Sequence, residues 1–74
     1  MVNVRNFINN VEAAGCFMEN ELYKFEGETF VVFRSFVKNY RVFINITDEE
    51  ISLDTAVGYL WDLEMGDKVQ SFFP

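Results

Sequence analysis

The chain has 74 residues, 12 acidic and 6 basic, with one cysteine, no histidine and a formal net charge of −6. That length suits one domain with a marginal core. A lone Cys16 excludes an internal disulfide, and the lack of histidine removes both an ordinary zinc site and an imidazole base.

Half of the residues are hydrophobic and 18% are aromatic, nine of them Phe. A domain of this size has too much surface to hide them all. An exposed apolar patch is therefore expected, with a homodimer as the simplest way to cover it.

Taken in chain order, the first element reads as a helix. Val4, Phe7, Ile8 and Val11 form one stripe of a 3.6-residue period. Asn3 suits its N-cap and Gly15 its stop, with Arg5, Asn6, Asn9, Asn10 and Glu12 on the outer face. Cys16 then opens an apolar run and reads as a buried structural thiol.

Next, Leu22-Tyr23-Lys24-Phe25 and Phe30-Val31-Val32-Phe33 flank Glu26-Gly27-Glu28-Thr29, a hairpin signal. Lys38-Asn39 marks a second turn. Beyond it Tyr40, Val42, Ile44 and Ile46 alternate with Arg41, Phe43 and Asn45. Both faces of the middle strand are apolar. One can pack on helices; the other needs a partner.

A second helix is expected over 53–65. Ser52 caps it, Asp54 favours its first turn, and Gly66 stops it. Leu53, Val57, Leu60, Trp61 and Glu64 share a stripe, which puts Trp61 in the core and leaves Tyr59 as an exposed contact. Thr47 with Glu50 also spells a capping box, so an earlier start is open. The tail, 69–74, reads as a short strand or a docked segment. The expected fold is α+β: an N-terminal helix, a three-stranded antiparallel β-meander and a C-terminal helix in one small domain, 1–74.

Charge is distributed unevenly. Residues 1–41 carry five acids and five bases, which cancel. Residues 42–67 carry Asp48, Glu49, Glu50, Asp54, Asp62, Glu64 and Asp67 with no base, a block of −7, and Lys68 brings the total to −6. Like charges repel and cost stability, while complementary charge speeds association, so the block points to a basic partner. Asp54 and Asp62 lie about 12 Å apart along a helix axis. DNA places phosphates about every 3.4 Å along each strand. Such an array can stand where phosphates stand in a DNA-binding protein. A solvated acidic face kept for solubility is the plainer reading.

Catalysis is not expected, since no histidine is present and Cys16 lacks an obvious base. No metal and no cofactor are expected. Asp48-Glu49-Glu50 lacks the alternating oxygen ligands and central glycine of an EF-hand loop. Direct nucleic-acid binding is disfavoured by the acidic balance. The N-terminal residues lack the apolar run of a secretory leader, and no stretch reaches the roughly 18 apolar residues of a membrane span. A complete cytoplasmic chain is expected, with Asn45-Ile46-Thr47 matching the glycosylation sequon by chance.

A short acidic chain with an aromatic-rich body and a base-free acidic third resembles phage-encoded DNA mimics that block host DNA-processing enzymes. It is similar in particular to small staphylococcal phage inhibitors of the bacterial DNA sliding clamp, the DNA polymerase III beta subunit. The resemblance covers length and character rather than a diagnostic motif. It implies a protein in the host bacterial cytoplasm that fills the basic central channel of the clamp and stops its loading and sliding. The seven acids of the block are its candidate contacts, assigned from the charge count. Another basic DNA-binding protein is an equivalent target.

Phe72 and Phe73 offer a second route to the clamp. Gln70-Ser71-Phe72-Phe73 has the residue types of a clamp-binding peptide, though its spacing is one residue short and Pro74 follows. These two rings and Tyr59 are the candidate apolar contacts. The rival expectation is an interaction subunit or antitoxin-like partner that binds through its aromatic surface.

Overall fold

Helix α1 spans Val4–Ala13 in the computed structural model, which describes residues 1–19, 22–34 and 41–74. The Asn3 side chain accepts a hydrogen bond from the Asn6 N–H at 2.9 Å and caps the helix. Its other end closes as a Schellman motif. The Cys16 N–H reaches the Val11 carbonyl at 3.4 Å and the Gly15 N–H the Glu12 carbonyl at 3.0 Å. Gly15 has φ 102°, a left-handed conformation that glycine adopts without penalty.

Helix α2 (Leu53–Asp62) repeats this plan. The Ser52 hydroxyl accepts from the Thr55 N–H at 3.1 Å. At the far end the Met65 N–H reaches the Leu60 carbonyl at 2.7 Å and the Glu64 N–H the Trp61 carbonyl at 3.1 Å. Here the left-handed residue is Glu64, with φ 62°.

Four antiparallel strands form the main sheet: β2 (Phe17–Met18), β3 (Tyr23–Phe25), β4 (Glu28–Arg34) and β5 (Arg41–Asn45). The central strand is β4. β5 lies along one side, while β3 and β2 lie end to end along the other. Glu26 (φ 51°) and Gly27 (φ 78°) form the two-residue β3–β4 loop, with the paired positive φ values of a type I′ turn.

A separate ribbon joins β1 (Val2–Asn3) to β6 (Glu50–Ile51), with Val2 opposite Ile51 and Asn3 opposite Glu50. Both helices start from this ribbon, one capped by Asn3 within it and the other by Ser52 just after it. They also end together: the Cys16 and Met65 sulfurs, each two residues beyond a helix cap, meet at 3.2 Å. Both helices have ten residues, so they run side by side in the same direction for about 15 Å.

The helices cover one face of the sheet. Val31, Phe33, Val42 and Ile44 point inward and pack with Val4, Phe7 and Val11 of α1 and with Ala56, Leu60 and Leu63 of the α2 segment. Phe33, Ile44, Leu60 and Val11 are completely enclosed. Truncating Phe33 to alanine would cost about 3–5 kcal/mol, a large part of what so small a domain has.

The layout departs from expectation in several places. Besides the sheet strands there is the β1–β6 ribbon, and β2 is an added short strand. The hairpin loop is Glu26-Gly27 alone, because Glu28 and Thr29 already pair with Phe25 and Lys24. α2 ends at Asp62, and the stop is Glu64 rather than Gly66. The inward stripe of α2 is Ala56, Leu60 and Leu63, because the small Ala56 lets the helix approach the sheet closely; Leu53 and Trp61 therefore face outward. Glu50 is in a strand, and the Thr47 hydroxyl accepts from the Thr29 N–H at 3.0 Å instead of capping a helix. The tail forms a short helix, α3 (Val69–Phe72), after a 3-10 turn at Gly66–Lys68. The turn expected at Lys38-Asn39 and the strand start at Tyr40 lie outside the described residues.

Candidate functional site

All seven residues of the acidic block are exposed. The fold divides them into two groups at opposite ends of α2. Asp48, Glu49, Glu50 and Asp54 surround the ribbon from which both helices start. Asp62, Glu64 and Asp67 lie at the far end of α2 and in the turn that follows.

These ends are electrostatically different. A helix N-terminus carries about half a positive charge and a C-terminus about half a negative one. The first group therefore has a structural reason to be acidic, since it surrounds two positive helix ends. Asp48 and Glu49 also share with Arg5 the wall of a cleft of about 350 Å3 between α1 and the sheet, also lined by Ile8, Met18 and Val31. The second group is placed differently. Its carboxylates stand at the negative end of α2, whose last turn holds no basic residue. The dipole alone disfavours a carboxylate at a helix C-terminus by about 0.3–1 kcal/mol, while Asp67 also lies in the first turn of the 3-10 helix that follows, where an acid is favoured.

Two aromatic residues near this end exchange their expected roles. Tyr59 is half-buried: its hydroxyl accepts from the Asn45 N–H at 3.2 Å and its ring lies 6.3 Å from Phe7. Trp61 is 64% exposed and lies over Gly66, where a Cβ would come within 2.5 Å of the indole ring. The cause is the helix rotation already described, which turns residue 59 inward and residue 61 outward. Phe72 and Phe73 are half-buried, with centroids 6.0 and 6.2 Å from that of Phe7. They fasten the tail to α1.

A further surface lies on the outer face of the sheet. Register places Phe30 and Val32 of β4, Phe43 of β5 and Tyr23 and Phe25 of β3 on the side away from the helices. Tyr23 and Phe43 meet edge to face at 5.1 Å, and Phe30 lies 6.1 Å from Tyr23 and 6.4 Å from Phe43. Val32 is buried under these rings although it is not part of the main core. The signal for this face was the shared parity of Tyr23 with Phe25 and of Phe30 with Val32.

At one end of that face Arg34 stands directly opposite Arg41, a like-charge pair that would be unfavourable alone. One oxygen of Glu19 joins them, 3.2 Å from the Arg34 Nε and 3.3 Å from the Arg41 Nε. At the other end Glu28 accepts a hydrogen bond from the Asn45 side chain, beside the Glu26 turn.

Cys16 is buried against Met65, and burial raises its thiol pKa above the ordinary value. That favours the protonated, poorly nucleophilic form. Among the described residues, no group of three or more His, Cys, Asp or Glu side chains is arranged to hold a metal ion. No helix among them is long and apolar enough to cross a membrane. The chain matches no family model, and no curated protein or solved structure matches it significantly.

Proposed function

We propose that this protein acts by occupancy, using its acidic surface to fill the basic DNA-binding site of a protein partner. The partner implied by the resemblance is the bacterial sliding clamp; filling its channel would block loading and sliding, and so host replication. One observation supports this reading: Asp62, Glu64 and Asp67 stand exposed together at the C-terminal end of α2 and in the turn that follows. Trp61, exposed beside them, adds an aromatic anchor of the kind that dominates interface energetics.

The test is charge reversal with two readouts. An Asp62→Lys/Asp67→Lys variant should lose binding to purified clamp, and to any basic partner captured from bacterial lysate. Circular dichroism should show it folded, so that a loss of binding reports on the contact and not on the fold. Binding by the wild type should weaken with salt and with competing duplex DNA. Unchanged affinity in the double variant would remove this end of α2 from the contact.

A second reading follows from the aromatic outer face of the sheet: an interaction subunit or antitoxin-like partner that binds another protein through those rings. Such binding would survive high salt and be lost on removing a ring.

A further inference from the structure

The outer face of the sheet is self-complementary, and we infer that it is the interface between two copies of this chain, packed face to face with their strands antiparallel. This inference is independent of the acidic-surface reading, since it uses the opposite side of the sheet from α2.

The apolar area has the right scale. Phe17, Tyr23, Phe25 and Phe43 are 62, 45, 53 and 39% exposed on this face. At about 200 Å2 for a fully open aromatic side chain, they leave roughly 400 Å2 uncovered. That is about half of the ~800 Å2 that each partner contributes to a standard interface. The polar residues at the two ends of the face can supply the rest.

Charge then selects the occupant. The chain carries −6, but the block responsible lies outside this sheet face, and residues 1–41 sum to zero. This is therefore the surface on which two copies can meet with little mutual repulsion.

Charge also selects the orientation. Along β4 the outward residues run Glu28, Phe30, Val32, Arg34: acid, apolar, apolar, base, over about 20 Å. Glu26 adds negative charge at the first end. Arg41, opposite Arg34, adds a second base at the other end, with Glu19 between the two. A twofold axis lying between two such faces, across the strands, reverses one sheet on the other. The rings then meet in the centre, with Arg34 and Arg41 of each copy over Glu26 and Glu28 of the other. The alternative axis, along the strands, would place like charges together at both ends. Sheets packed this way stand about 10 Å apart, which leaves room for the rings to interdigitate.

Sedimentation equilibrium of the purified chain over a concentration series tests the inference, with circular dichroism checking that each variant is folded. The wild type should dimerise with a dissociation constant on the order of micromolar, suited to an interface of modest apolar area. Phe25→Asp, at an exposed position, should leave a folded monomer. Glu28→Lys and Arg41→Glu should each weaken the dimer about tenfold, because each creates two symmetry-related like-charge contacts. The double variant Glu28→Lys/Arg41→Glu should dimerise more strongly than Arg41→Glu alone, since the lysine introduced in each copy then faces the glutamate introduced in the other, while Glu26 still opposes full recovery. Asp62→Lys should leave dimerisation intact. A wild type that stays monomeric at several hundred micromolar would overturn the inference. So would a dimer that keeps its strength in the folded Phe25→Asp variant. Single reversals without effect would overturn the antiparallel arrangement.

Discussion

Glu64 gives the most direct check on the structure, because its effect runs through the backbone. It ends α2 in the left-handed region at φ 62°, where a side chain with a Cβ meets the following carbonyl oxygen. That conformation costs an L-residue about 1–2 kcal/mol. Replacing Glu64 by glycine removes the penalty but restores about 0.5–1 kcal/mol of chain entropy to the unfolded state. The net expected gain is about 0.5–1 kcal/mol. A 74-residue domain unfolds with an entropy near 0.16 kcal/mol/K at about 2.1 cal/mol/K per residue, so the melting temperature should rise by about 3–6 °C. Glu64→Gly also deletes a charge and the side chain's own interactions. Glu64→Gln serves as the control: it removes the charge and keeps the left-handed strain. Thermal melts of the three proteins separate the effects, and the gain belongs to the difference between Gly and Gln. If Glu64→Gly melts at or below the temperature of Glu64→Gln, Glu64 does not close the helix in a left-handed conformation and the described end of α2 is wrong.

Two further outcomes test the packing. Glu19→Ala should lower stability by about 1 kcal/mol, since Arg34 and Arg41 would lose the carboxylate that joins them. Urea unfolding should show the loss shrinking as salt is added. Gly66→Ala should displace the Trp61 ring, which lies 2.5 Å from the new Cβ and is free to swing into solvent. Tryptophan emission should shift to the red while stability falls by less than about 1 kcal/mol, because an exposed ring can move without opening the core; an unchanged spectrum would count against the contact.

How far the sequence could be read depends on where each signal is local. The first helix was legible because Val4, Phe7 and Val11 form a single apolar stripe between a capping asparagine and a stopping glycine. In α2 the stripe 53, 57, 61 competes with the stripe 56, 60, 63, and Trp61 outweighs Ala56 on any hydropathy scale. Only the sheet decides between them, and it favours the small residue that permits close approach. Glu64 gives no local sign of a left-handed conformation, whereas Gly66, an ordinary stop signal, does a different job beneath Trp61. The Arg34–Glu19–Arg41 group depends on cross-strand register and on Glu19 arriving from an earlier strand end, so no window of sequence contains it. For the acidic block, the count was available at once. Its division into two ends was not, because that follows from α1 and α2 starting at one ribbon and running in the same direction.

That shared direction changes what the acidic block implies. If the helices were antiparallel, each end of the pair would mix a positive and a negative pole, and acids would be roughly neutral in either place. Run in parallel, they create one end with two positive poles and one with two negative poles. The four acids at the ribbon end then count as ordinary stabilising residues, even though they make up more than half of the block. The three at the other end, Asp62, Glu64 and Asp67, stand by the negative pole of α2, with Asp67 also in the first turn of the 3-10 helix. A binding surface built around them would be narrower than a rod of seven carboxylates and would centre on Trp61. Duplex mimicry along the whole of α2 requires Asp54→Lys and Asp62→Lys to weaken clamp binding alike. Recognition centred on the C-terminal end requires Asp62→Lys to do most of the damage while Asp54→Lys mainly costs stability. Comparing these two single variants decides which form of the acidic reading to keep.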